Sequence, residues 1–127
     1  LFDKYKIIRK LSKQEILYDN EMIDNHFILS RAFLTYLNKG EIDISLLKKA
    51  CTFLVKRHPF LRAQVLHTQD EMVRYFIEMD EKEAFKFDNI EIIEINDHKQ
   101  WQELFDLENI RPFETSKGPM WRIKLLK

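Results

Sequence analysis

Hydrophobic and polar positions change period several times along the chain, and each change marks an element. Residues 5–11 carry a short strand pattern, and Ser12-Lys13-Gln14-Glu15 then fits a capping box. In that motif the serine hydroxyl and the glutamate carboxylate satisfy the first unpaired N–H groups of a helix. Ile16, Leu17 and Met22 give this helix a weak apolar face. Residues 26–37 are apolar on both alternating faces apart from Ser30, Arg31 and Thr35, a pattern that suits a strand covered on both sides. Lys39-Gly40 breaks it.

Asp43 is placed to cap the clearest helix of the chain, Ile44–Arg57. Leu46, Leu47, Ala50, Cys51, Phe53 and Leu54 form its apolar stripe, with Leu47, Cys51 and Leu54 expected against a sheet. Lys48, Lys49 and Lys56 lie on the other side. His58-Pro59 ends the helix, because a residue before proline disfavours helical backbone. Residues 61–67 and 72–78 then read as a hairpin turning near Gln69-Asp70, and residues 85–95 as a further β-rich stretch. Asp97 and Gln100 would cap a helix that turns Trp101, Leu104 and Phe105 inward. A loop over 111–119 leads into a last strand over 120–126, whose pairing partner is expected outside these residues. Strands and helices mix without regular alternation or repeat. The pattern predicts an α+β fold, a mixed sheet with flanking helices, as one domain over residues 1–127.

Composition narrows the function. With 45% hydrophobic and 13% aromatic residues in 127, the chain can bury a core and is not a disordered segment. Its 21 basic side chains match 21 acidic ones, which argues against a nucleic-acid partner, since phosphate binders carry a basic excess. No apolar run is long enough to span a membrane. One cysteine, Cys51, rules out an internal disulfide framework, and a soluble, cytoplasmic protein is expected. Two glycines in the whole chain leave no room for a phosphate-cradling loop, and neither serine nor cysteine stands in a nucleophile elbow.

The histidines offer little chemistry either. His26, His58, His67 and His98 lack partners at metal-ligand spacing, so no metal site is expected. His58 reads as a helix-end residue, His67 and His98 as surface residues, and Cys51 as a small core residue. No catalytic residue emerges from the spacing.

Four segments nevertheless resemble, in order, the N-terminal portion of the chloramphenicol acetyltransferase-like superfamily. Leu11-Ser12 with Glu15 resembles its opening, followed by the strand around 27–37. Residues 40–65 resemble its helix and the Arg-His-Pro-x-Leu-Arg segment, here Arg57-His58-Pro59-Phe60-Leu61-Arg62. Phe113 and Gly118-Pro119-Met120-Trp121-Arg122 resemble its Phe … Gly-Pro-Leu-x-Arg segment. The superfamily includes condensation domains of peptide synthetases, alcohol O-acetyltransferases and wax ester synthases. The resemblance implies an acyltransferase that moves an acyl group from an acyl-CoA or acyl-carrier thioester to the hydroxyl or amine of a small-molecule acceptor. It also implies a supporting role for Arg62 behind the active-site loop.

The family's catalytic motif, His-x-x-x-Asp, has no match here. Position four after each histidine holds Ser30, Arg62, Glu71 and Gln102. The motif is expected just beyond Lys127, which makes these residues an incomplete N-terminal lobe, inactive alone. Its partner would be the remainder of its own polypeptide or a complementary chain, with no cofactor bound by the chain itself. Two alternatives remain at this point: a non-catalytic interaction domain of the same fold, and an unrelated small α+β binding module.

Overall fold

A computed structural model describes residues 2–24 and 40–127, so the strand expected over 26–37 lies outside the described residues. After a 3₁₀ turn at Phe2–Lys4 comes strand β1, Ile7–Lys10, then helix α1, Lys13–Asp24. The capping box forms as expected, with Ser12 N donating to Glu15 Oε1 at 2.8 Å and Glu15 N to Ser12 Oγ at 3.2 Å. Arg9 clamps the same carboxylate through both terminal nitrogens, at 2.7 and 2.8 Å. The Arg9 hydrogen bond, helped by those from Ser12, outweighs desolvation and holds the Glu15 carboxyl at about 2. The start of α1 is therefore tied to β1.

Helix α2, Ile44–Arg57, has the expected ends. Asp43 Oδ1 accepts from Ser45 N and Leu46 N, and the chain leaves the helix at His58 in extended backbone. Pro59–Arg62 winds a 3₁₀ turn before strand β2, Ala63–His67, so the hairpin is shorter than its sequence pattern. Strand β3, Arg74–Glu78, pairs antiparallel with β2 from Ala63↔Glu78 to His67↔Arg74. It also pairs antiparallel with β1, giving the order β1-β3-β2.

The stretch 85–95 departs from a continuous strand. A single helical turn, α3 (Glu81–Ala84), precedes it, and Phe87 adopts a left-handed φ of 59°. That backbone is costly for a bulky side chain, by about 1–3 kcal/mol, and is held because the Phe87 ring is buried against Phe85 and Trp121. Only Ile90–Ile93 forms strand β4. Helix α4, His98–Ile110, follows, with Asp97 Oδ1 accepting from Lys99 N and Gln100 Oε1 from Asn96 N. Strand β5, Ile123–Leu126, then runs parallel to β4, from Ile90↔Ile123 to Ile93↔Leu126. The last strand thus finds one partner, β4, inside the chain. A parallel pair needs a long crossover, and α4 is that crossover. Helices with both antiparallel and parallel strands make the fold α+β.

Two apolar clusters hold these elements. Leu11, Ile16, Val65 and Phe76 join α1 to the three-stranded sheet, with Ile8 and Met120 at their edge. Cys51, Val55 and Phe87 join α2 to β4 and β5, flanked by Leu47, Leu61, Ile90, Trp121 and Ile123. The inward line of α2 is therefore Leu47, Cys51 and Val55, one row round from the expected Leu54, which is 46% exposed. Apolar residues cover so wide an arc of this helix that periodicity alone does not say which edge meets the core. Val55, only 1% exposed, should cost about 2 kcal/mol on truncation to Ala. Leu54→Ala should cost under about 1 kcal/mol and Lys49→Ala under about 0.5 kcal/mol. Urea unfolding of the three variants checks the order. A Leu54 effect equal to that of Val55 would mean that a further surface covers this face.

Gly118 has one steric reason to be glycine. Its φ is +63°, and a Cβ there would fall inside contact distance of the Ala63 carbonyl oxygen. Ala63 is itself fully buried, so neither side can give way. This contact brings the 111–119 loop onto β2 and aims the chain into β5.

Candidate functional site

Helix α1 places Asp19 one turn after the buried Ile16, so its carboxylate points inward. The side chain is 4% exposed and meets groups from three other segments. Arg74 of β3, 6% exposed, donates from one terminal nitrogen to Asp19 Oδ2 at 2.7 Å and from the other to Asn20 Oδ1 at 2.6 Å. The buried Thr115 hydroxyl donates to Asp19 Oδ1. His67, at the end of β2, brings Nε2 to 3.4 Å from Oδ2, an ion pair when the imidazole is protonated. His67 and Thr115 also face an open groove of about 410 Å³ whose apolar side is Met22, Ile23 and Phe113.

The chemistry of this cluster is positional. Both oxygens of Asp19 are taken and its charge is opposed by Arg74. What it does is fasten α1, the hairpin and the 111–119 loop to one point. Sequence reading passed over Asp19, Arg74 and Thr115. The usable signal was a carboxylate three residues from Ile16 and three from Met22, on the inward line of a helix.

Arg62 is the second anchor. Its Nε and one terminal nitrogen both lie 2.6 Å from Glu78 Oε1, at the end of β3. The other terminal nitrogen donates to the carbonyls of Val55 and, at 3.1 Å, Lys56. The guanidinium therefore caps carbonyls left open by the last turn of α2 and straps that turn to the sheet. It sits in the 3₁₀ turn, 80% buried.

A third anchor joins α4 to β5. Glu108 takes Lys124 Nζ at 2.6 Å and Arg111 at 3.3 Å on Oε1, and Arg122 Nε on Oε2. Burial alone would raise this carboxyl, but Lys124 and Arg122, by hydrogen bonds and charge, outweigh it and hold it at about 2. Arg122 also donates to the Arg111 carbonyl at 2.7 Å and lies 4.1 Å from the centre of the Phe113 ring.

Of the residues with candidate chemistry in the sequence, Cys51 is buried in the α2 cluster, and burial pushes its thiol up, which makes it a poor nucleophile. His58 ends α2 through its backbone, and His98 is the exposed first residue of α4. His26 lies outside the described residues. Among the described residues, no three His, Cys, Asp or Glu side chains converge as metal ligands, and no helix is long and apolar enough to cross a membrane.

Comparison with known proteins fits this frame. The chain is similar to surfactin synthase subunit 2 of Bacillus subtilis (strain 168), 29% identical over 125 residues. The match covers 98% of this chain and 3% of that relative, so the chain spans a small fraction of it. No solved structure matches the chain significantly. The family model of the condensation domain matches residues 14–127, from the first turn of α1 through β5. That span takes in all three anchors, and the chain belongs to the condensation-domain family, within the chloramphenicol acetyltransferase-like superfamily.

Proposed function

We propose that these residues form the N-terminal part of an acyltransferase lobe. In the complete protein, an acceptor amine or hydroxyl attacks the carbonyl of an acyl thioester carried on CoA or on a carrier protein. The new C–N or C–O bond forms as the C–S bond breaks. The acceptor's proton passes to a general base, and the departing thiolate takes up a proton. The observation that carries this reading is the condensation-domain match across residues 14–127. No histidine of this sequence stands four residues before an aspartate. On this reading the base is supplied by polypeptide outside these 127 residues, in a His-x-x-x-Asp motif.

Within that reading Arg62 is a positioning residue. It fixes the end of α2 against Glu78, and so sets the position of the segment that enters the sheet. Misplacing a reacting group by about 1 Å can cost on the order of 100-fold. Arg62→Gln in the complete protein should therefore lower kcat by about 10- to 100-fold with little change in KM. Arg62→Lys should restore only part of it, because an ammonium cannot make the forked contacts. Turnover of an acyl thioester with amine and hydroxyl acceptors, measured beside Tm, checks this. A lowered Tm with unchanged kcat would make Arg62 a strut of the fold and nothing more.

A further inference from the structure

We propose that the protein associates with a second copy of itself, helix α2 of one copy lying antiparallel on helix α4 of the other. Each helix turns one face to its own fold and leaves a row of side chains in solvent. On α2 the row is Ala50, Phe53 and Arg57, all exposed, with Phe53 at 65%. On α4 it is Glu103, Leu107 and Ile110, all exposed, with Leu107 at 57% and Ile110 at 63%. A single exposed apolar residue is ordinary on a surface. A row at helical spacing that ends in a charge has the form of a helix-packing face.

The two rows match when the helices run in opposite directions. Forward along α2 the steps are three and four residues, from Ala50 to Phe53 to Arg57. Backward along α4 they are again three and four, from Ile110 to Leu107 to Glu103. Antiparallel packing therefore sets Ile110 over the small Ala50, Leu107 against Phe53 and Glu103 against Arg57. Parallel packing would instead set Arg57 on Ile110 and Glu103 on Ala50, leaving both charges against apolar groups. Neither Arg57 nor Glu103 enters an ion pair among the described residues. The charges of the whole helices agree with this pairing. Helix α2 carries Lys48, Lys49, Lys56 and Arg57 and no acidic residue, whereas α4 carries Glu103, Asp106 and Glu108 against Lys99. Packing α2 on α2 would set basic against basic, so its complement is α4. Two helices make a small interface, and the association is weak and reversible. It stands independently of the acyl-transfer reading.

The test is sedimentation velocity on the complete protein over the micromolar range, at low and at high salt. Reversible association that weakens with salt is expected, because the Arg57–Glu103 contact lies at the edge of a small interface and is screened. Phe53→Ser and Leu107→Ser should each weaken association by about tenfold. Both side chains are exposed, so neither change disturbs the core. An equal mixture of these two variants should associate at close to wild-type affinity, because the first keeps its α4 face and the second its α2 face. Arg57→Glu should also weaken association, and Glu103→Arg added to the same chain should restore it. A protein that stays monomeric throughout overturns the proposal. So does an association that neither serine variant weakens, or a mixture no stronger than its two components alone.

Discussion

Asp19→Ala should destabilise the protein by about 3–5 kcal/mol, the largest effect expected of any single change described. The substitution leaves the Arg74 guanidinium buried with only Asn20 as a polar partner, while Arg74 Nε already lacks one among the described residues. It also releases the Thr115 hydroxyl, and with it the loop whose carbonyl accepts from Val65 N at 2.8 Å. An uncompensated buried charge costs far more than a lost surface pair, and a domain's whole stability is about 5–15 kcal/mol. The double variant Asp19→Ala with Arg74→Met should recover much of the loss, because both charges leave together. Chemical denaturation of the two singles and the double closes the cycle. A single-variant loss below about 1 kcal/mol would show that water reaches Arg74 and that the cluster is no anchor.

Glu108→Gln should cost on the order of 3 kcal/mol above pH 5, and this cost should vanish as the pH falls. The carboxyl drops from its ordinary 4.5 to about 2 on folding, and one pH unit is worth about 1.4 kcal/mol. A carboxyl lowered by folding contributes its stability in full above the unfolded value and loses it as pH falls through the folded one. Wild type should therefore lose this contribution between pH 4.5 and about pH 2, whereas the variant should not. Glu15, also held at about 2, titrates over the same window, so a residual slope remains in the variant. Parallel stability curves from pH 5 to pH 2 for the two proteins would mean that Lys124, Arg111 and Arg122 do not hold Glu108 in solution.

Local rules made part of the fold legible in the sequence. The capping box at Ser12 and Glu15, the Asp43 cap and the stop at His58-Pro59 each depend on residues a few places apart, and the β2–β3 pairing on two neighbouring strand patterns joined by one short turn. Such spacings fix which N–H groups and apolar faces a short segment can satisfy by itself. The weight on Arg62 also came from the sequence, through its place in a recognisable segment, but its partner Glu78, 16 residues on, did not.

The remainder was decided where distant segments meet. Val55 rather than Leu54 faces inward because β4 and β5 arrive on that side of α2. The β4–β5 pair depends on a crossover through α4, and the strained backbone of Phe87 on the ring of Trp121 waiting for it. Asp19 shows the division most plainly. Its partners lie 55 residues away at Arg74 and 96 away at Thr115, and in the sequence it is one acidic residue among 21. Period and capping act along the chain and can be read there, whereas the worth of a buried charge depends on which opposite charges and hydroxyls the fold carries to it. Only the assembled tertiary structure sets that.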